Sequence, residues 1–206
     1  MARPIEMPSI AVLVSGRGSN LQSIIDAVAH GRLDARVAVV ISNRATAFGL
    51  ERARAAGIEA LHIDPREYSG RDAYDAAIVA ALSARRVELV CLAGFMRVVG
   101  PVLLDAFPDR ILNIHPSLLP SFPGLHAQRQ ALEHGVRVSG ATVHLVTREL
   151  DDGPIVLQAG VPVLEGDTVE MLSERILVEE HRIYPAAIQL VLEGQWRLDG
   201  RRFVSR

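Results

Sequence analysis

The sequence predicts an α/β fold: a single domain on an open, mainly parallel twisted sheet with helices on both faces and an antiparallel C-terminal addition, Rossmann-like in layout. Three observations carry this. Short apolar runs without polar alternation recur through the first 120 residues, as strands covered on both faces require. Stretches with helical apolar spacing separate them. Beyond residue 138 two apolar runs flank a single turn, which suits a hairpin rather than a crossover.

Each element follows in order. "SIAVLVS" (9–15) is a strand stopped by Gly16. "NLQSIIDAVAHG" (20–31) has apolar residues at 21, 24, 25 and 28 and ends at a glycine, as a helix does. "RVAVVIS" (36–42), "EALHID" (59–64), "ELVCLAG" (88–94) and "RILNIH" (110–115) read as strands two to five. "AFGLERARAAG" (47–57) and "RDAYDAAIVAALSARR" (71–86) read as helices, and "VGPVLLDAF" as a short one opened by Pro101. "SGATVHLVT" (139–147) and "PIVLQAGVPV" (154–163) pair around the turn 148–154. A long helix is expected from Thr168 to Leu192. Residues 1–8 read as a short extension, and the tail 196–206 as either a small last strand or a surface segment. No repeat, low-complexity stretch or linker divides the chain, so one domain over 1–206 is expected.

Composition excludes several classes of function. The net charge is −2, which provides no basic field for nucleic acid. No apolar run approaches the ~18 residues of a membrane span. The N-terminus lacks the apolar core of a signal peptide, so a cytoplasmic location is expected. Cys91 is the only cysteine and sits in an apolar strand, which suits a buried, inert thiol. All 22 basic residues are arginine. Schiff-base chemistry and a P-loop lysine are thereby absent, and anions fall to arginine or backbone N–H groups.

In open parallel sheets ligands bind beyond the carboxyl ends of the strands, and three segments there carry chemistry. "SGRGSN" follows the first strand. Gly16 and Gly18 permit a tight turn, Ser19 or Asn20 can cap the next helix, and Gly16, Arg17, Gly18, Ser19 and Asn20 together offer an anion site. A dinucleotide fingerprint fails, because Leu21 stands where a third glycine is needed and the second strand ends in "ISNR" without an acidic residue. A phosphate monoester fits better; a capped turn with no ligand is the plain alternative. In "NIHPSLLP", Asn113 and His115 share side-chain parity. An amide that holds an oxyanion and an imidazole that moves protons suit acyl transfer, although for an isolated N-x-H two satisfied strand-end groups are the favoured reading. In "RELDDGP", an Asp151 that reached His115 would favour its imidazolium and raise its pKa. His144 is placed to face the same cleft. His115, His144 and Asp151 have no close-spaced ligand pair, so no metal is expected. No G-x-S-x-G occurs, which argues against a serine hydrolase.

These segments occur together, and in this order, in one family. "VLVSGRGSNLQSIID", "SNRATAFGLERARAAGI", "LAGFMRVV", "ILNIHPSLLPSFPGLHAQRQALEHG", "TVHLVTRELDDGPIVLQ" and "EEHRIYP" resemble the phosphoribosylglycinamide formyltransferases over about Ser9 to Gln195. The resemblance implies formyl transfer from 10-formyltetrahydrofolate, a co-substrate, to the amine of glycinamide ribonucleotide in purine biosynthesis, without a metal. It makes Asn113, His115 and Asp151 the catalytic trio, with Asp151 raising the His115 pKa. It places the nucleotide phosphate on the backbone of Gly16 to Asn20 and turns Glu180 toward its amine. It lays the folate along Arg71, Met96, Arg97, Val98 and Val99, beside Asn113, and against Thr147, Arg148, Glu149, Leu150 and Asp151. The implied partners are these two small molecules, with no nucleic acid and no membrane, and the implied state is a monomer or homodimer. Asp152 departs from the small residue usual there, and its role stays open. The rivals are formyltetrahydrofolate deformylase, which usually carries an N-terminal regulatory domain, methionyl-tRNA formyltransferase, which carries a C-terminal RNA-binding domain, and a non-catalytic phosphometabolite-binding protein. Only eight residues precede the first strand and about eleven follow the last matched segment, which favours the single-domain transferase.

Overall fold

The computed structural model describes residues 7–205. Residues 1–6 of the N-terminal extension and Arg206 of the tail lie outside them. The described strands are β1 (Ser9–Val14), β2 (Arg36–Ser42), β3 (Ala60–His62), β4 (Leu89–Leu92), β5 (Ile111–His115), β6 (Val138–Leu145), β7 (Ile155–Pro162), β8 (Trp196–Asp199) and β9 (Arg202–Ser205). The helices are α1 (Ser19–Ala29), α2 (Phe48–Ala55), α3 (Arg71–Ser83), α4 (Pro101–Ala106), α5 (Ala127–Glu133) and α6 (Val169–Glu193). The strands form one sheet in the order β3-β2-β1-β4-β5-β6-β7-β9-β8. β1 to β5 pair in parallel. β6 runs antiparallel to both β5 and β7, as the hairpin spacing predicts. The chain order reverses at β1, which lies between β2 and β4, and that reversal opens a crevice at the carboxyl ends of the strands.

The apolar runs are explained by burial on both faces. Ile10, Val12 and Val14 feed one core with Leu21, Ile24, Leu50, Ile176 and Ile188. Ala11 and Leu13 feed the other with Ile41, Tyr74, Ile78 and Leu103. Successive residues of one strand thus serve opposite layers, so no polar alternation survives. α6 opens with a Thr168 side-chain cap on the Met171 N–H and runs 25 residues through Pro185. Pro185 has no N–H to give the His181 carbonyl. The neighbouring Tyr184 hydroxyl instead reaches the Leu92 and Leu112 carbonyls at 2.9 and 3.2 Å, which fastens the helix beneath β4 and β5.

Two local features differ from the sequence reading. "AQRQALE" forms α5, too short for an apolar period to appear and anchored mainly by Ala127 and Ala131. The tail forms a hairpin rather than one strand: β8 and β9 pair antiparallel, and β9 meets β7 at Ile155 and Arg202. Trp196 and Phe203 stack across it at 4.8 Å, a cross-strand contact that parity alone does not announce. Among the described residues no helix is long and apolar enough to cross a membrane.

The β6–β7 connection closes on Gly153, where a Cβ would lie 1.7 Å from the Leu145 carbonyl oxygen. Gly153→Ala is therefore expected to destabilise by about 2 kcal/mol and to lower Tm by roughly 4–8 °C. Thermal unfolding checks this; an unchanged Tm would mean that the connection relaxes independently of β6.

Candidate active site

The turn after β1 is held from three sides. The Ser15 hydroxyl donates to Asn43 Oδ1 at 2.6 Å and accepts the Met96 N–H at 2.8 Å, while the Ser15 N–H donates to the Gly94 carbonyl at 3.2 Å. Ser15 thus ties the end of β1 to the segments leaving β2 and β4. No motif marks it in the sequence; a small hydroxyl just before a glycine turn at a buried strand end is its only signal. Gly18 caps α1 with φ +69°, and a Cβ there would stand 2.7 Å from Gly49 Cα. Only glycine meets both demands. Neither Ser19 nor Asn20 makes the expected cap. The Asn20 amide is drawn away, donating from Nδ2 to Glu180 Oε2 at 2.7 Å. Among the described residues the first-turn N–H groups of α1 therefore have no side-chain cap, and they face the crevice with the positive helix end.

Asn113, His115 and Asp151 come together at the tip of β5. Asp151 sits in the connection after β6 with φ +52°, a left-handed conformation that aspartate tolerates better than most residues. Its Oδ2 accepts the Gly124 N–H at 2.7 Å and lies 3.4 Å from His115 Nδ1. His115 Nε2 donates to the Phe122 carbonyl at 2.9 Å. Both nitrogens of His115 thus face acceptors. His144 completes the cluster: its Nδ1 donates to the Leu145 carbonyl at 3.0 Å, and its Nε2 accepts from Asn113 Nδ2 at 3.2 Å. Asp151 Oδ1 approaches His144 Nε2 only to 3.7 Å, too far for a hydrogen bond. Burial holds the His144 pKa below its ordinary value, outweighing the pull of Asp151. The neutral ring then orients the Asn113 amide, whose second N–H has no protein acceptor among the described residues. β6 puts His144 directly opposite Asn113 in the ladder, a register that the sequence reading left open.

The remaining candidates line the same edge. Glu180 of α6 is buried beside the α1 N-terminus, and burial pushes its pKa up against the opposing effect of the Asn20 bond. Met96, Arg97 and Val98 are exposed after β4, whereas Val99 is buried. Thr147, Arg148, Glu149 and Leu150 are exposed after β6. Met96, Val98 and Leu150, 59%, 54% and 61% exposed, leave apolar side chains facing solvent on either side of β5, together with Leu125, which the sequence reading did not single out. Arg97 lies over the Tyr74 ring at 5.1 Å. The Arg71 stem packs at Gly100, whose N–H donates to Asp75 at 2.8 Å. Arg148 pairs with Asp105 of α4 at 3.2 Å. Cys91 is buried and its thiol pKa is pushed far up by desolvation. Among the described residues no group of three or more His, Cys, Asp or Glu side chains is placed to hold a metal ion.

Residues 8–188 match the family model described as formyl transferase. The chain belongs to the formyl transferase family. Among formyl transferases it is 46% identical over 201 residues to phosphoribosylglycinamide formyltransferase of Escherichia coli, covering 94% of this chain and 95% of that one. It is 48% identical over 189 residues to the human trifunctional purine biosynthetic protein adenosine-3, of which it spans 19%. Glycinamide ribonucleotide transformylase 1 from Symbiobacterium toebii superposes with a TM-score of 0.95 at 64% identity, covering 97% of this chain and 94% of that one. A formyltetrahydrofolate deformylase from Pseudomonas syringae superposes with a TM-score of 0.89 at 26% identity, covering 98% of this chain and 66% of that one.

Glu180 yields a pH-dependent stability. A carboxyl whose pKa is raised on folding binds its proton more tightly in the folded state, so stability is lost as pH rises through the folded value. Glu180→Gln keeps an acceptor for Asn20 and removes the titration. Its Tm should match wild type below pH 4.5, the ordinary glutamate value, and exceed it increasingly above. Parallel melts from pH 4 to 8 check this; a gap that shrinks with rising pH would reverse the assignment.

Proposed function

We propose that this chain transfers the formyl group of 10-formyltetrahydrofolate to the amine of 5′-phosphoribosylglycinamide in purine biosynthesis. One observation carries the reading. The Asn113–His144–Asp151–His115 cluster and the uncapped N-terminus of α1 open on the same sheet edge, with Glu180 beside that N-terminus. A phosphate held by the α1 amides would direct the rest of the nucleotide along Glu180 toward β5, with its amine near that carboxyl. The exposed apolar side chains of Met96, Val98 and Leu150 offer a wall for the flat folate ring, and Arg71 and Arg97 lie along the same side.

The residues then divide the work. An α-amino group titrates near pH 8, so part of the acceptor is already a free nucleophile at neutral pH. Its attack on the formyl carbon breaks the carbonyl π bond and places a negative charge on oxygen. The free Asn113 N–H donates to that oxygen, pre-aimed by His144. His115 has Asp151 as a partner at Nδ1 and exchanges its Phe122 contact at Nε2 for the reacting atoms. It gives a proton to the folate nitrogen as the C–N bond breaks and recovers one from the attacking amine, so protons balance over the turnover. Water as acceptor is the second reading, which the likeness to a deformylase raises. An uncapped helix end beside a buried carboxylate favours the nucleotide.

Asn113→Ala should lower kcat by ~10²–10³-fold, the usual cost of one oxyanion donor, while Tm stays within a few degrees. Formyl transfer followed by absorbance measures this; near-normal turnover would remove Asn113 from the chemistry.

Acceptor identity is tested by comparing the nucleotide, the riboside without phosphate, and water alone. If the phosphate positions the amine, the riboside should lose at least ~100-fold in kcat/KM. Equal folate release with and without nucleotide would assign water as the acceptor, and no release in any arm would leave a binding protein.

A further inference from the structure

We propose that Arg201, at the turn of the C-terminal β8–β9 hairpin, is a positioning residue for the connection that carries Asp151, acting through Asp152. The catalytic readout rests on the function proposed above; the grip itself does not. Arg201 Nη1 and Nη2 donate to the two Asp152 carboxylate oxygens at 2.8 Å each, and Nη2 also donates to the Asp152 carbonyl. A planar fork matched to a carboxylate fixes direction as well as distance. The carbonyl contact adds the orientation of the peptide that follows Asp151 and Asp152, so three donors act on the residue next to the buried acid. Arg201 also holds the Asp152 carboxyl below its ordinary pKa, so the grip persists through the neutral range.

The hairpin is anchored at its other end. Trp196 Nε1 donates to the Val191 carbonyl of α6 at 3.0 Å, Trp196 stacks on Phe203, and the Arg110 guanidinium lies 5.9 Å from the Trp196 ring centre. The hairpin therefore spans from the end of α6 to the outer side of the Asp151 connection. Asp151 points inward to His115 and the Gly124 amide while Asp152 points out to Arg201. Pulling on the outer residue sets the left-handed backbone of the inner one. Side-chain exposures of 69% and 48% mean that the pair contributes little to global stability. Catalysis is more sensitive, because displacements of about 1 Å in a reacting group carry large rate penalties.

The test compares full-length Arg201→Met, Asp152→Asn, the double variant and the exchanged pair Arg201→Asp with Asp152→Arg. Each single variant should lose about three- to tenfold in kcat, with the nucleotide KM within about twofold and Tm within roughly 2 °C. The Gly124 amide, which donates to Asp151, should exchange several-fold faster with deuterium, a readout that needs no substrate. The double variant should be no worse than either single, and the exchanged pair should recover part of both signals. Unchanged Gly124 exchange in Arg201→Met, additive losses in the double, or a Tm loss above about 5 °C with a matching rise in KM would each overturn the proposal. A wild-type protein without formyl transfer would remove the proposed function, and Gly124 exchange would still decide the grip.

Discussion

The Asp151 carboxylate is the group on which the site depends. It is a buried acceptor with three neighbours: the Gly124 amide, His115 and, at longer range, His144. An ionised carboxylate out of water must be hydrogen-bonded or paired, and this one meets the requirement by organising its surroundings. The Gly124 bond ties the loop after β5 to the connection after β6. The His115 contact gives the strand-end imidazole a second acceptor, and the His144 ring holds the Asn113 amide. Asp151 reaches this position only with a left-handed backbone, which the tight closure at Gly153 and the Asp152–Arg201 contact sustain.

The sheet supplies the rest of the frame. β1, β4 and β5 end at one edge because they run parallel, and Ser15 ties two of those ends to the segment after β2. The antiparallel β6 brings His144 opposite Asn113 from the reverse direction. A purely parallel sheet would present only outgoing strand ends at this edge. The incoming strand sets His144 against Asn113, and the connection after β6 brings Asp151 to the histidines of both strands.

A chain without lysine divides its arginines in a way that bears on ligand choice. Several serve as struts: Arg52 holds the Arg17 carbonyl and Gln22, Arg175 holds Asp167, and Arg85 holds Glu59. In the proposed function the phosphate falls to backbone amides at the start of α1, where it would meet fixed dipoles rather than a mobile ammonium. Glu180 stands beside that helix end with its charge disfavoured by burial.

The sequence by itself determined the layer architecture, the five parallel strands, the hairpin and the long helix, because continuous apolar runs and helical apolar spacing report burial directly. It also marked Asn113, His115 and Asp151 as residue types with chemical use at strand ends. Parity brought Asn113 and His115 to one side, but the approach of Asp151 depends on the path of the nine-residue connection between β6 and β7 and on the register of β6, and neither leaves a periodic signal. For the same reason Ser15, the Asn113–His144 bond, the diversion of Asn20 from capping to Glu180, and the Arg201 grip on Asp152 were decided only by tertiary structure. Each joins residues between 28 and 160 positions apart or spans neighbouring strands, and a polar side chain's partner over such separations is set by packing rather than by its neighbours in sequence.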